Sequence, residues 1–159
     1  MKRVAKSELI ATIERAWADA PKPPVGGIAT SPDKYDDRAE LEEALRDWQW
    51  RAVPLETLVA LRMELPALTP EGLRYFLPAF LLAALEEGDA GEEIRFFLLS
   101  HFQVSVRNGA LSKELSRFSA AEREALRAFF EYVATTPDQL VAPDPEDWGA
   151  LAAAVHAAG

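Results

Sequence analysis

The stretch Thr69-Pro70-Glu71-Gly72-Leu73-Arg74-Tyr75-Phe76-Leu77-Pro78-Ala79-Phe80-Leu81-Leu82-Ala83-Ala84-Leu85 decides the fold class. A threonine hydroxyl can accept from the free amides of a first helical turn, and proline at the next position already has a helical φ. The acid at Glu71 suits the positive end of the helix dipole. The spacing therefore predicts a helix that starts at Thr69-Pro70 and runs to Glu86 or Glu87, where Gly88 stops it. Leu73, Phe76, Leu77, Phe80, Leu81, Leu82 and Leu85 place apolar side chains almost all round it. A helix of that kind belongs in the centre of its bundle. Pro78 has no amide hydrogen to give the carbonyl of Arg74, so a kink is expected there, or two short helices meeting at that point.

Outward from this segment, every strong pattern is also helical. Ser7 to about Ala20 carries Leu9, Ile10, Ile13, Ala16 and Trp17 on one stripe, with Ser7 as the expected cap and Pro21 as the stop. Asp37 to about Trp48 follows, opened by an Asp37–Glu40 capping pair, and Pro54 introduces a third helix reaching about Leu65. Glu92 to about Phe102 turns Ile94, Phe97, Leu98 and Phe102 inward. The Asn108-Gly109 pair beyond it is a turn signal that could close a very short hairpin. Ser119 and Glu122 form a capping box for a helix to about Ala134, and Asp144-Pro145 opens a last, alanine-rich helix to about Ala157. The expected fold is all-α: an irregular bundle of six to seven helices around a central, proline-kinked apolar helix. It is read as a single domain over residues 1–159, with a Pro/Gly-rich connection at 21–36 that is either a tether or an ordered arm over the helices.

The totals agree. A chain of 159 residues, 49% hydrophobic with 8 Phe and 4 Trp, can build a core unaided. It has no cysteine, which excludes disulfides, thiolate metal sites and cysteine nucleophiles. Acidic residues outnumber basic ones 26 to 17, for a formal charge of −9. Phosphate backbones and anionic membranes are bound by lysine and arginine, so neither is an expected partner; a basic protein is. Glu8 and Glu14 break the apolar run that a signal peptide would need, and Phe76 to Leu85 is about half a membrane span, so the expected location is cytoplasmic.

Motifs that carry chemistry are scarce. His101 and His156 are the only histidines, without HExxH spacing, and no metal or other cofactor is expected. His101 reads as a histidine at the edge of the core, and His156 as a cation suited to a helix C-terminus. The acidic run Glu86, Glu87, Asp89, Glu92, Glu93 lacks the ligand order of a calcium loop and reads as a solvated turn. There is no nucleophile elbow and no phosphate-binding glycine loop, so no catalytic residue is assigned. Trp48 and Trp50, two apart, cannot both enter one core layer; one should pack inward and the other cover the connection or sit in a groove. Tyr35 lies in an acidic group with Asp33, Asp36 and Asp37. Arg74 and Tyr75 are the polar residues of the otherwise apolar helix. The candidate binding residues are thus Arg74, Tyr75, Trp50 and Tyr35, with a buried structural pair as the plainer reading of Arg74 and Tyr75.

Trp50-Arg51-Ala52-Val53-Pro54, then Leu65, then Leu68-Thr69-Pro70-Glu71-Gly72-Leu73-Arg74-Tyr75-Phe76-Leu77-Pro78-Ala79 and onward, resembles the core of an uncharacterised family of small bacterial proteins, a domain of unknown function. In that family the motif reads LTPEAFRYYLPAYLLA; here Gly72 stands for its alanine and Phe76 for its second tyrosine. Phe118-Ser119-Ala120-Ala121-Glu122 with Leu126 to Tyr132 is similar to the family's C-terminal helix. The resemblance implies a bacterial origin and a helical fold, and no activity. The function expected from the residues is a non-enzymatic interaction module with an acidic surface. Alternatives are an immunity- or antitoxin-like inhibitor of a basic enzyme, and a small-ligand or metal-dependent enzyme using Arg74, Tyr75, His101 and nearby carboxylates.

Overall fold

The computed structural model describes residues 5–24, 26–29, 37–135 and 145–158. The fold is all-α. Eight α-helices are named here: α1 Lys6–Ala16, α2 Asp37–Leu45, α3 Leu55–Ala60, α4 Pro70–Ala84, α5 Asp89–Arg107, α6 Leu111–Glu114, α7 Ala120–Thr135 and α8 Pro145–Ala158, with 3₁₀ turns at Trp50–Ala52, Arg62–Ala67 and Leu115–Arg117. The only extended pairing among the described residues is an isolated bridge between Ala29 and Leu68. The chain divides into two compact units, one of residues 19–98 and one of residues 1–18 with 99–159; the boundary falls inside α5.

In the unit of residues 19–98, α4 starts as its sequence says. Thr69 Oγ1 accepts from the Gly72 amide at 2.9 Å, and Pro70 occupies the first helical position. The helix continues unbroken through Pro78, so the two-helix alternative does not occur. It is buried on almost every face, Phe76, Leu77, Phe80 and Leu81 being at most 1% exposed. The connection ahead of α2 is an ordered arm where it is described. Glu42 accepts the amides of Gly26, Ile28 and Ala29, each at 3.0 Å, and Thr69 Oγ1 donates to the Gly27 carbonyl at 2.6 Å. The Thr69 amide in turn donates to the Ile28 carbonyl. A Cβ on Gly72 would stand 2.1 Å from that carbonyl oxygen. The arm therefore leaves no room for a side chain at Gly72. At the other end of α4, the Arg95 guanidinium caps the Ala84 carbonyl at 2.6 Å; its half-burial disfavours the charged form and lowers its pKa.

Several helix ends differ from expectation. The third helix is α-helical only to Ala60 and tightens into the 3₁₀ turn at Arg62–Ala67, which holds Pro66. The second stops at Leu45, three residues short of Trp48.

In the unit of residues 1–18 and 99–159, α7 packs against α1 and α8. Phe102, Phe129, Phe130 and Trp148 form one aromatic cluster, with ring centroids 5.4 to 6.1 Å apart. Trp17 packs edge-on against Phe118. The Ser119–Glu122 capping box forms as expected, at 2.9 and 3.1 Å. Ser7 does not cap α1; it lies within the helix, behind Ala5. Asn108-Gly109 closes no hairpin. The helix runs on to Arg107, and Gly109 at φ +69° lets the Gly109 and Ala110 amides return to the carbonyls of Val106 and Ser105. This pattern ends a helix on a left-handed glycine.

Candidate functional site

The four residues singled out in the sequence meet different fates. Tyr35 lies outside the described residues. Trp50 and Tyr75, twenty-five positions apart, are brought together: the Tyr75 hydroxyl accepts from the Trp50 backbone amide at 3.3 Å. Both are buried, at 4% and 5% exposure, so neither ring is an open platform. The hydroxyl satisfies an amide at the start of a 3₁₀ turn, a donor that would be costly to bury alone. The Arg51 guanidinium covers the Trp50 ring at 4.7 Å. Arg74 is half-buried, and Trp48 is the exposed tryptophan of the pair.

His101 belongs to the unit of residues 1–18 and 99–159, while Arg74 and Tyr75 belong to the other. The Glu114 carboxylate accepts from His101 Nε2 at 2.8 Å and from Ser105 Oγ at 2.6 Å. Ser105 is one of two buried polar residues among the described residues, and its position four after His101 puts both on one face of α5. In an acyl-transfer triad the imidazole stands between nucleophile and acid. Here the carboxylate stands between the imidazole and the hydroxyl, which lies 2.6 Å from the carboxylate and 3.1 Å from the His101 carbonyl. The arrangement satisfies a partly buried carboxylate and fastens α6 to α5.

A third region was not singled out in the sequence. Phe96 on α5 is 53% exposed and Met63 is 61% exposed. Phe97 is only half-buried, not inward as its stripe suggests; its ring meets that of Phe96 edge-on at 5.2 Å. The Arg62 guanidinium lies over the Phe97 ring at 5.4 Å, and its Nε is 3.4 Å from Glu93 Oε2 without hydrogen-bond geometry. Arg62 Nη1 donates to the Val59 carbonyl at 2.6 Å. The cation is thus held against its own unit, while Phe96, next to the ring it covers, is open to solvent. One signal could have found this region: adjacent residues on a helix point about 100° apart, so Phe96 and Phe97 cannot both enter one core.

Charge is divided unevenly between the two units. Residues 19–98 hold 16 of the 26 acidic residues and 8 of the 17 basic ones; the remainder, 10 and 9, fall in the other unit. Glu86, Glu87, Asp89 and Glu93 are all exposed in and just after the α4–α5 connection, while Arg95 is directed at carbonyl groups. Among the described residues there is no group of three or more metal-ligating side chains, and no helix long and apolar enough to cross a membrane.

A family model described as "Family of unknown function (DUF6714)" matches residues 5–148, and the chain belongs to that family. No curated protein and no solved structure matches it.

Proposed function

We propose that this member of the family of unknown function DUF6714 is a non-enzymatic, cytoplasmic protein-interaction module that recognises a basic partner through its acidic unit. The observation that carries the reading is the partition of charge. Acidic residues exceed basic ones by two to one within residues 19–98, whereas the other unit is nearly balanced. A surplus gathered in one part of a molecule raises the local potential and steers an oppositely charged protein toward it. Three polar groups of the kind used in chemistry are occupied structurally: Tyr75 with the Trp50 amide, His101 and Ser105 with Glu114.

The test is retention of proteins from a bacterial lysate on the immobilised chain, at low salt and again at about 0.5 M salt, where the screening length falls to a few ångström. Basic proteins retained at low salt and released at high salt are the expected result. Retention that is empty at low salt, or indifferent to salt, overturns the reading.

A further inference from the structure

Resting on that reading, we propose that the face made by Phe96, Phe97 and Arg62 is where the partner docks, and that the docking element is a basic amphipathic segment: an apolar side chain flanked by lysine or arginine. Three observations converge. The first is exposure. Phe96 is more than half exposed, apolar surface left open among the described residues. The second is order. Arg62 is fixed by the Val59 carbonyl, the Glu93 carboxylate and the Phe97 ring, and Phe97 in turn meets Phe96. The face is built before a partner arrives, so little side-chain freedom remains to be lost on binding.

The third observation is charge, and it selects the occupant. Asp89 and Glu93 precede Phe97 on α5 by eight and four residues, which places them along the same side of the helix. Glu86 and Glu87 extend the acidic run into the connection just before it. The one cation in the face, Arg62, is already paired with Glu93. A second copy of the chain would bring another charge of −9 against this rim. A basic segment instead brings ammonium or guanidinium groups to the carboxylates and an apolar side chain to the phenylalanines. Buried aromatic contacts of this kind carry most of the energy of an interface, while the charged rim sets the encounter rate and the choice of partner.

The experiment uses the full chain and a fluorescent helical peptide built only of leucine and lysine, with a second peptide of equal charge in which alanine replaces leucine. Binding is followed by anisotropy. The wild-type chain is expected to bind the leucine peptide in a salt-sensitive manner and the alanine peptide more weakly. Phe96→Ser should weaken the leucine peptide about tenfold. The combination Glu86→Gln, Glu87→Gln and Asp89→Asn should weaken both peptides, and Val106→Ser, an exposed apolar position on α5 within the other unit, should leave both unchanged. The helical circular dichroism of each variant checks that it folds, and truncating side chains this exposed leaves the core in place. Salt-sensitive binding that is unchanged by Phe96→Ser overturns the docking face but not the interaction reading. Absence of salt-sensitive binding of either peptide to the wild type overturns both.

Discussion

The two units use many of their polar groups differently. In residues 1–18 and 99–159, Arg127 pairs with Glu124 and with Glu131, and His101 and Ser105 share Glu114, while Ser119 and Glu122 bond each other's amides in a capping box. In residues 19–98, several of the most constrained polar groups hold backbone instead. Glu42 gathers three amides of the arm, Thr69 joins the arm to α4, and Arg95 caps the end of α4. Acids that are not used in this way have too few cations in their own unit to pair one to one. The difference teaches where to look for function. Under the proposed reading, the unit with surplus acid beside an exposed phenylalanine is the place to test for contact.

Four substitutions break or sharpen that contrast. The largest effect should come from Phe130→Ala, which hollows the aromatic cluster with Phe102, Phe129 and Trp148 at a cost of about 3–5 kcal/mol. Hydrogen exchange should show its loss of protection mainly within residues 1–18 and 99–159. Equal loss in residues 19–98 would erase the division on which the comparison stands.

Next, Gly72→Ala places a methyl group 2.1 Å from the Ile28 carbonyl oxygen. The arm must move, at a cost of about 1–3 kcal/mol in urea unfolding, and the Thr69 amide, which donates to that carbonyl, should exchange faster. A variant as stable as the wild type would mean that the arm does not hold α4. Thr69→Ala removes both the cap on Gly72 and the donor to Gly27, and should cost about 1–2 kcal/mol. A midpoint unchanged in urea would show that hydroxyl to be dispensable.

The smallest effect is expected from Arg127→Ala. Its carboxylate partners, Glu124 and Glu131, are more than half exposed, so the cost should be about 0.5 kcal/mol or less and should shrink in high salt. The hydrogen bond from Arg127 is the main reason that the Glu124 pKa is lowered. A group with a lowered folded value contributes its stability above its unfolded value and loses it as pH falls through the folded one. The difference between wild type and Arg127→Ala should therefore be present at neutral pH and fade below the ordinary carboxylate range. A difference that grows on acidification would reverse the assigned sign.

Much of the fold was legible because it rests on local physics. Thr69-Pro70, Ser119–Glu122 and the all-round apolar character of α4 each follow from interactions a few residues long. Errors fell where longer contacts compete with local signals. Asn108-Gly109 is a turn signal in either context; a stretch that continues as helix up to Arg107 makes it a helix end. Pro54 to Leu65 has one apolar stripe, yet the 3₁₀ geometry at Arg62–Ala67 interrupts it. Of the candidate residues, the inward turn of one tryptophan from the pair Trp48 and Trp50 was readable, whereas the Tyr75 hydroxyl as its partner spans twenty-five residues and was not.

By itself, the sequence determined the helical class, the main caps, the buried central character of α4 and the acidic balance, because periodicity, capping chemistry and charge are properties of neighbours and of totals. Tertiary structure alone decided that Glu42 clamps the arm, that Gly72 must lack a side chain, that Glu114 stands between His101 and Ser105, and that Phe96 remains open to solvent. Each of these depends on which distant backbone or side chain arrives within a few ångström, and a hydrogen bond or a steric clash has no representation in sequence spacing until the chain has closed upon itself.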